Sequence, residues 1–323
     1  MLDILRKKNK ILVVGDFMLD CYIKLVFTHY SEGQSVYSIK ETTNTLGGAG
    51  NVLNQLVGAE QEVILLTRVG KDNAGENIVK ILSKKKIMKD SILIYSSENI
   101  KTTIKYYSDI NIKVEINDEK RNEEFEVFFQ TAINNLDLSS LDAVIFSDYC
   151  KGVFDSNPKI LKEIIKKINT FNIPIFVDSK RDDLSIFRGC TYIKSNLEEF
   201  CKQAQISNSD FDEKKILSMT SKYSIPNWIV TTSERGLIAV IQDEVYKLSS
   251  MANDIRSVVG AGDSFLSYLV VSTISKLEPS ENLKIANIAA AIQVENAETY
   301  TVSLGEVYKR YDELSKKSIN RKE

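Results

Sequence analysis

The run Gly260-Ala-Gly262-Asp263-Ser264-Phe265 is the segment whose residue types and spacing most directly suggest chemistry. Small residues let backbone N–H groups approach an anion, and a helix starting here would turn its positive end to the same point. Asp263 has two readings at such a place. It can satisfy orphan amides as a helix cap, which is the simpler reading of an isolated run, or accept the proton of a hydroxyl attacking a phosphate. A second cluster, Gly47-Gly48-Ala49-Gly50-Asn51, precedes an apolar helical pattern from Val52 and by itself reads as a turn. Phe265 stands where a dinucleotide fingerprint needs its third glycine, and no GxxxxGK[ST] occurs. A Rossmann dehydrogenase and a P-loop enzyme are therefore both disfavoured.

Composition removes further classes. The 323 residues contain one histidine, His29, which excludes HExxH peptidases, three-histidine metal sites and HxGH nucleotidyltransferases, and weakens a Ser-His-Asp hydrolase. Lys+Arg 42 against Asp+Glu 44 opposes a general nucleic-acid binder. The runs Lys84-Lys85-Lys86 and Lys316-Lys317 read as solvated helix ends. Cys21, Cys150, Cys190 and Cys201 show no CxxC spacing and read as reduced thiols. The longest apolar stretch, around Tyr268 to Ile274, falls far short of the roughly 20 residues that span a bilayer. Nothing at the start has the form of a signal peptide, so a cytoplasmic protein with no membrane or nucleic-acid partner is expected.

The chemistry-bearing residues need elements to position them. Ile11–Val14, Val63–Leu66, Ala143–Phe146, Ile173–Val177, Tyr192-Ile193 and Trp228–Thr231 read as buried strands. Amphipathic stretches lie between them, at Ala74–Lys86, Asn122–Asn134, Pro158–Asn169, Asp212–Tyr223 and Glu281–Val294. This alternation predicts an α/β domain with a mainly parallel sheet. Two segments, about 21–45 and 92–117, carry strand-like alternation without room for crossover helices and predict an antiparallel flap over one sheet edge. Four prolines and no Gly/Ser-rich linker argue for one domain over residues 1–323.

Gly-Gly-x-x-Asn near residue 50 and Gly-Ala-Gly-Asp near residue 262, on alternating α/β units, resemble the ribokinase-like (PfkB) carbohydrate kinases. Asn196-Leu-Glu-Glu199 is similar to that family's Asn-x-x-Glu motif, and Thr231-Thr-Ser-Glu-Arg-Gly236 to its nucleotide-binding strand end. The resemblance implies a three-layer α/β/α domain with the flap as a lid, transferring phosphate from ATP to a sugar or sugar-phosphate hydroxyl. It implies Asp263 as base, with the Gly260, Ala261 and Gly262 amides facing the transferring group. Asn196 and Glu199 would hold Mg2+ through water in the family's manner, and Thr231, Ser233, Gly236, Gly262 and Asn287 would line the nucleotide. Asp16, Gly48, Asn51 and Lys180 would contact the acceptor, and a homodimer would form through the flap.

Within the family, Gly15–Asp20, Gly47–Val52, Ser147-Asp-Tyr-Cys-Lys-Gly152, Val177-Asp-Ser-Lys180 and Lys194–Phe200 are most similar to the kinases of D-glycero-D-manno-heptose 7-phosphate. In many bacteria these are fused to an HxGH adenylyltransferase, an activity that a chain with one histidine is not expected to carry. Four segments depart from the pattern, the first being Ser31-Glu-Gly-Gln-Ser-Val36, which stands where a proline-containing stretch of the lid is usual. Ser257-Val-Val259 replaces a stretch whose aspartate often supports a monovalent cation, which argues against potassium activation. Glu115 stands where an arginine is usual, which predicts weaker binding of a sugar phosphate and a different acceptor. Glu295–Tyr300 replaces the usual Gly- and Thr-containing loop. A silent sugar- or nucleotide-sensing homologue, or a kinase of another sugar or nucleoside, are the alternative expectations.

Overall fold

A computed structural model of the chain describes residues 2–85, 87–110, 113–118, 122–155, 157–296 and 300–319. Lys86, residues 111–112 of the expected flap and residues 297–299 of the Glu295–Tyr300 loop lie outside the described residues. The elements run β1 (Lys10–Gly15), β2 (Phe17–Ser31), β3 (Gln34–Gly48), α1 (Ala49–Gly58), β4 (Glu62–Gly70), α2 (Asn73–Ser83), β5 (Ile92–Ser97), β6 (Lys101–Ser108), β7 (Lys113–Asp118) and α3 (Glu123–Asn135). They continue with β8 (Ala143–Asp148), α4 (Pro158–Asn169), β9 (Ile175–Ser179), β10 (Tyr192–Asn196), α5 (Leu197–Ala204), α6 (Glu213–Tyr223), β11 (Asn227–Thr231), β12 (Leu237–Ile241), β13 (Glu244–Leu248), α7 (Ala261–Ile274), α8 (Pro279–Val294) and α9 (Leu304–Ile319).

Among the described residues the main sheet has nine strands in the order β13-β12-β11-β10-β9-β8-β1-β4-β5. From β11 to β5 every pairing is parallel, and the β11-β12-β13 end is antiparallel. Successive side chains of a strand point to opposite faces, so the apolar runs feed two cores. Ile11, Val13, Ala143 and Ile145 pack with α1, α2, α7, α8 and α9. Leu12, Val14, Val144 and Phe146 pack with α3 to α6. This is the expected three-layer α/β/α arrangement. Helix starts follow their sequence signals: Asp72, Asn122 and Asp212 cap α2, α3 and α6 by accepting from Gly75, Phe125 and Lys215 amides. No helix among the described residues is long and apolar enough to cross a membrane.

The flap is a second sheet in the order β3-β2-β6-β7. It differs from expectation in two ways. Ile92–Ser97 is not part of it but forms the edge of the main sheet, parallel to β4. An edge strand is only half covered, so its mixed exposure imitates that of a flap strand. The flap is also not wholly antiparallel, because β6 pairs parallel to β2. The short turn from β5 into β6 carries the chain from one sheet to the other without reversing it against β2.

Candidate active site

β1, β8, β9, β10 and β11 end on one side of the sheet, where α7 begins. Side chains and loops there line a cleft of about 680 Å3. Open parallel sheets place ligands at their carboxyl ends for this reason. Parallel pairing sets Asn196 of β10 beside Thr231 of β11. Asn196, Thr231, Ser233, Gly236, Asn287 and the Gly260–Asp263 run all line the cleft. The sequence separations between these groups therefore collapse into one site. Ile255 and Val258, 53% and 71% exposed, face Ala290, Ala291 and Val294 across it, forming an apolar wall suited to a flat ring.

At Gly260 the backbone is left-handed (φ 80°), and a Cβ there would stand 2.7 Å from Asn51 Nδ2, so the position requires glycine. The helix that follows makes its first bond from Ser264 N to Gly260 O (3.0 Å). The amides just before it, those of Gly262 and Asp263, belong to the first turn, which has no intrahelical acceptors and turns its positive end to the cleft. Asp263 is not the N-cap; it is the third residue of α7. Its carboxylate is buried, with Oδ2 accepting from Asn51 Nδ2 (2.7 Å) and Oδ1 from the Tyr149 hydroxyl (3.0 Å). Burial, then repulsion from Asp178, raises its pKa above the ordinary carboxylate range, while Asn51, Lys194 and Tyr149 oppose that rise. A carboxylate so placed is a stronger base than an ordinary one and is suited to accept a proton.

Beside it lies an ion-pair group the motifs alone do not single out. Lys194 is 3% exposed, and its Nζ donates to Asp178 Oδ2 (2.7 Å), itself 2% exposed. A Cβ added to Gly262 would lie 2.6 Å from that Nζ, so the ammonium stands against the first turn of α7. Lys180 also pairs with Asp178 (3.4 Å) and with Glu199. Burial opposes the charge of Asp178, but Lys180 and Lys194 outweigh it and hold the group down at about 2. Asn196 and Glu199 form a capping box at the start of α5: each side chain accepts from the other's amide, at 2.9 and 2.8 Å. Among the described residues no group of three or more His, Cys, Asp or Glu is arranged to hold a metal.

The flap adds a second group of charged side chains near Asp263. Asp20 faces Lys105 in the β2–β6 register, and Lys105 faces Glu115 in the β6–β7 register, so a row of alternating charge crosses three strands. Two residues along, Tyr22 stacks on Tyr107 with ring centroids 5.0 Å apart. Asp20 is 4% exposed, and its Oδ1 has no hydrogen-bond partner. Burial raises its pKa to about 7, against Lys105, with Asp263 adding to the rise. Buried polar atoms are seldom left unpaired, so this oxygen keeps an unused capacity to accept a hydrogen bond.

Asp16, expected to contact the acceptor, is placed otherwise. It does not line the cleft; its carboxylate accepts from the amides of Tyr149 (2.8 Å), Lys151 (3.0 Å) and Val153 (2.9 Å) and so holds the loop after β8. Strand β1 ends at Gly15, which turns position 16 under that loop, whereas Asp20 lies inside β2 on the face toward Asp263. Gly48 caps α1 at φ 60° and Asn51 reaches the base, so these two act on the site's frame and on Asp263. Tyr149, Asp178, Lys194, Asp20 and Lys105 were legible only as members of quoted motifs or strands. Lys194 directly follows the predicted strand Tyr192-Ile193 and precedes the polar Ser195 and Asn196, so the sequence carries no separate signal for its burial.

A family model described as pfkB family carbohydrate kinase matches residues 8–304. The chain belongs to this family. It is 29% identical over 315 residues to the bifunctional protein HldE of Campylobacter fetus, covering 92% of this chain and 65% of that protein. It is 32% identical over 310 residues to the HldE of Campylobacter curvus, covering 93% of this chain and 64% of that protein. The chain thus spans just under two thirds of the length of these relatives. Among solved structures, phosphofructokinase-2 from Escherichia coli in complex with potassium superposes with a TM-score of 0.76 at 15% identity, over 96% of this chain and 100% of that one. Arabidopsis thaliana ribokinase complexed with ribose and ATP gives 0.71 at 17%, over 94% and 99%. The ribokinase-like fold and the assignment as a PfkB sugar kinase follow.

Proposed function

We propose that this single kinase domain transfers the γ-phosphoryl group of ATP to D-glycero-D-manno-heptose 7-phosphate, giving the 1,7-bisphosphate used for ADP-heptose and lipopolysaccharide precursors. The observation that carries the kinase reading is Asp263, buried at the mouth of α7 between Asn51 and Tyr149. The cleft and its apolar wall suit ATP, whose phosphates would meet the first-turn amides and Lys194. Magnesium would supply charge neutralisation of those phosphates, held by them and by water, with Asn196 and Glu199 nearby. With base and amides both present, turnover is favoured over a silent sensor.

The identity to the HldE proteins supports the heptose phosphate. The charge of the flap does not oppose it, against the expectation drawn from Glu115 alone. Glu115 pairs with Lys151 (2.9 Å) and lies 3.8 Å from Lys105, so its negative charge is offset by two lysines. Purified protein with Mg-ATP and a panel of sugars should release ADP fastest with heptose 7-phosphate. ADP release only with an unphosphorylated sugar or a nucleoside would overturn the acceptor.

Asp20 would bind acceptor hydroxyls. Its raised pKa means that, between about 4 and about 7, the folded chain keeps a proton that the unfolded chain has released. Its contribution to stability therefore falls as pH rises through this window. Asp20→Asn should raise stability at pH 8 by about 2 kcal/mol and raise the acceptor KM at least tenfold. Urea melts at pH 8 and initial rates check the two effects.

The flap supports a homodimer. Phe27, Tyr30 and Ile39, 46%, 71% and 63% exposed, form an apolar surface on its outer half, and exposed sheets of this kind call for cover. Phe27→Glu is expected to convert the dimer into monomer in sedimentation velocity, and an unchanged sedimentation coefficient would count against this face.

A further inference from the structure

The segment Ser147-Asp-Tyr-Cys-Lys-Gly152 ends β8 and forms the loop after it. Its Tyr149 stands at the boundary of the two halves of the site. The hydroxyl donates to Asp263 Oδ1 (3.0 Å), and the ring has an ammonium over it from each half: Lys105 of the flap at 5.3 Å and Lys180 of the main sheet side at 5.2 Å from the centroid. Each lysine is held in turn, Lys105 by Glu115 and Lys180 by Asp178 and Glu199. The backbone is fixed as well, since the Tyr149 amide donates to Asp16. Ring, hydroxyl and main chain are thus each constrained by a separate partner.

We propose that Tyr149 is a positioning residue for the kinase reaction: its hydroxyl on Oδ1, together with Asn51 on Oδ2, fixes the carboxylate plane of Asp263 so that a remaining lone pair is turned to the acceptor's proton. This rests on the reading of Asp263 as the base. In the step served, a bond forms between the acceptor oxygen and the γ-phosphorus, and the bond from that phosphorus to the bridging oxygen breaks. The acceptor's proton passes to Asp263, and ADP leaves with the bridging oxygen. Tyr149 neither gains nor loses a proton. Burial, then the charge of Asp263, holds its hydroxyl well above the ordinary phenol range, so it remains a donor across the working pH. The hydrogen bond favours the ionised carboxylate and so opposes the upward push that burial gives Asp263.

The charged and titratable groups that face Asp263 are Asp178, Lys194 and Lys180 from the main sheet side and Asp20 and Tyr107 from the flap. Tyr149→Phe leaves all of these in place and keeps the ring between its two lysines. The full chain is compared with Y149F in Mg-ATP and an acceptor that supports turnover, following the pH dependence of kcat/KM, the Kd for ATP and the melting temperature. Expected are a fall in kcat of about tenfold and an acid limb displaced to higher pH by about one unit, with Kd for ATP unchanged. An acid limb that stays in place overturns the proposal, whether kcat and Tm hold or fall, because a purely structural loss does not move it. Asp263→Asn separates this from the underlying reading. Turnover by D263N removes Asp263 as the base, whereas an inactive D263N beside a wild-type-like Y149F removes only the positioning role.

Discussion

Replacing Asp263 by asparagine is expected to lower kcat about a thousandfold or more while the fold and ATP binding persist. The change is isosteric, and an amide can still meet Asn51 and Tyr149, at 2.7 and 3.0 Å in the native site, after rotation. What it removes is the only property the mechanism needs, a lone pair basic enough to take the acceptor's proton as phosphorus approaches. Folding should if anything improve. Burial and Asp178 both oppose the charge on Asp263, so a neutral side chain relieves that opposition. Single-turnover rates and calorimetric ATP binding on the same preparation check both halves of the expectation. Retention of more than about a tenth of kcat would remove Asp263 from the role of base.

The second large effect is expected at Lys194. Lys194→Met preserves length and apolar contacts but strips Asp178 of its nearest cation, at 2.7 Å, in a place where both side chains are almost fully buried. Leaving a buried carboxylate short of a partner costs about 3 kcal/mol, the lower end of the usual range because Lys180 remains at 3.4 Å. The pH dependence carries the signature. Asp178 is depressed to about 2 in the folded chain, so its contribution is present above the unfolded value near 4 and is lost as pH falls toward 2. K194M should therefore flatten the loss of stability between pH 4 and pH 2. Activity should fall about a hundredfold, since the ammonium stands against the first turn of α7 where charge on the transferring group would develop. Pairing K194M with Asp178→Asn should restore much of the stability and none of the rate. Recovery of rate in the double variant would show that Lys194 serves the fold alone.

Much of the architecture was legible before any coordinates. Short continuous apolar runs such as Ile11–Val14 predicted strands buried on both faces, and both cores draw on alternate residues of those runs. Helix ends carried their own chemistry, as with Asn157-Pro158 opening α4. Gly260–Asp263 marked an anion site because close approach and a left-handed turn restrict the residue type. Ile92–Ser97 failed because edge strands and flap strands share the same half-exposed alternation.

The sequence by itself determined the fold class and marked Gly260–Asp263 as a close-approach turn into a helix, because both rest on local residue type and spacing. Which of two nearby carboxylates keeps an acceptor atom unengaged was decided only by the tertiary structure. Asp16 and Asp20 are four residues apart and alike in kind, yet one is consumed by three backbone amides and the other keeps a buried oxygen unpaired. The same holds for Glu115, whose sign alone suggested an acidic pocket until Lys105 and Lys151 were found against it. Charge and hydrogen-bonding capacity are properties of neighbours in space, and those neighbours come from strands and loops far apart along the chain.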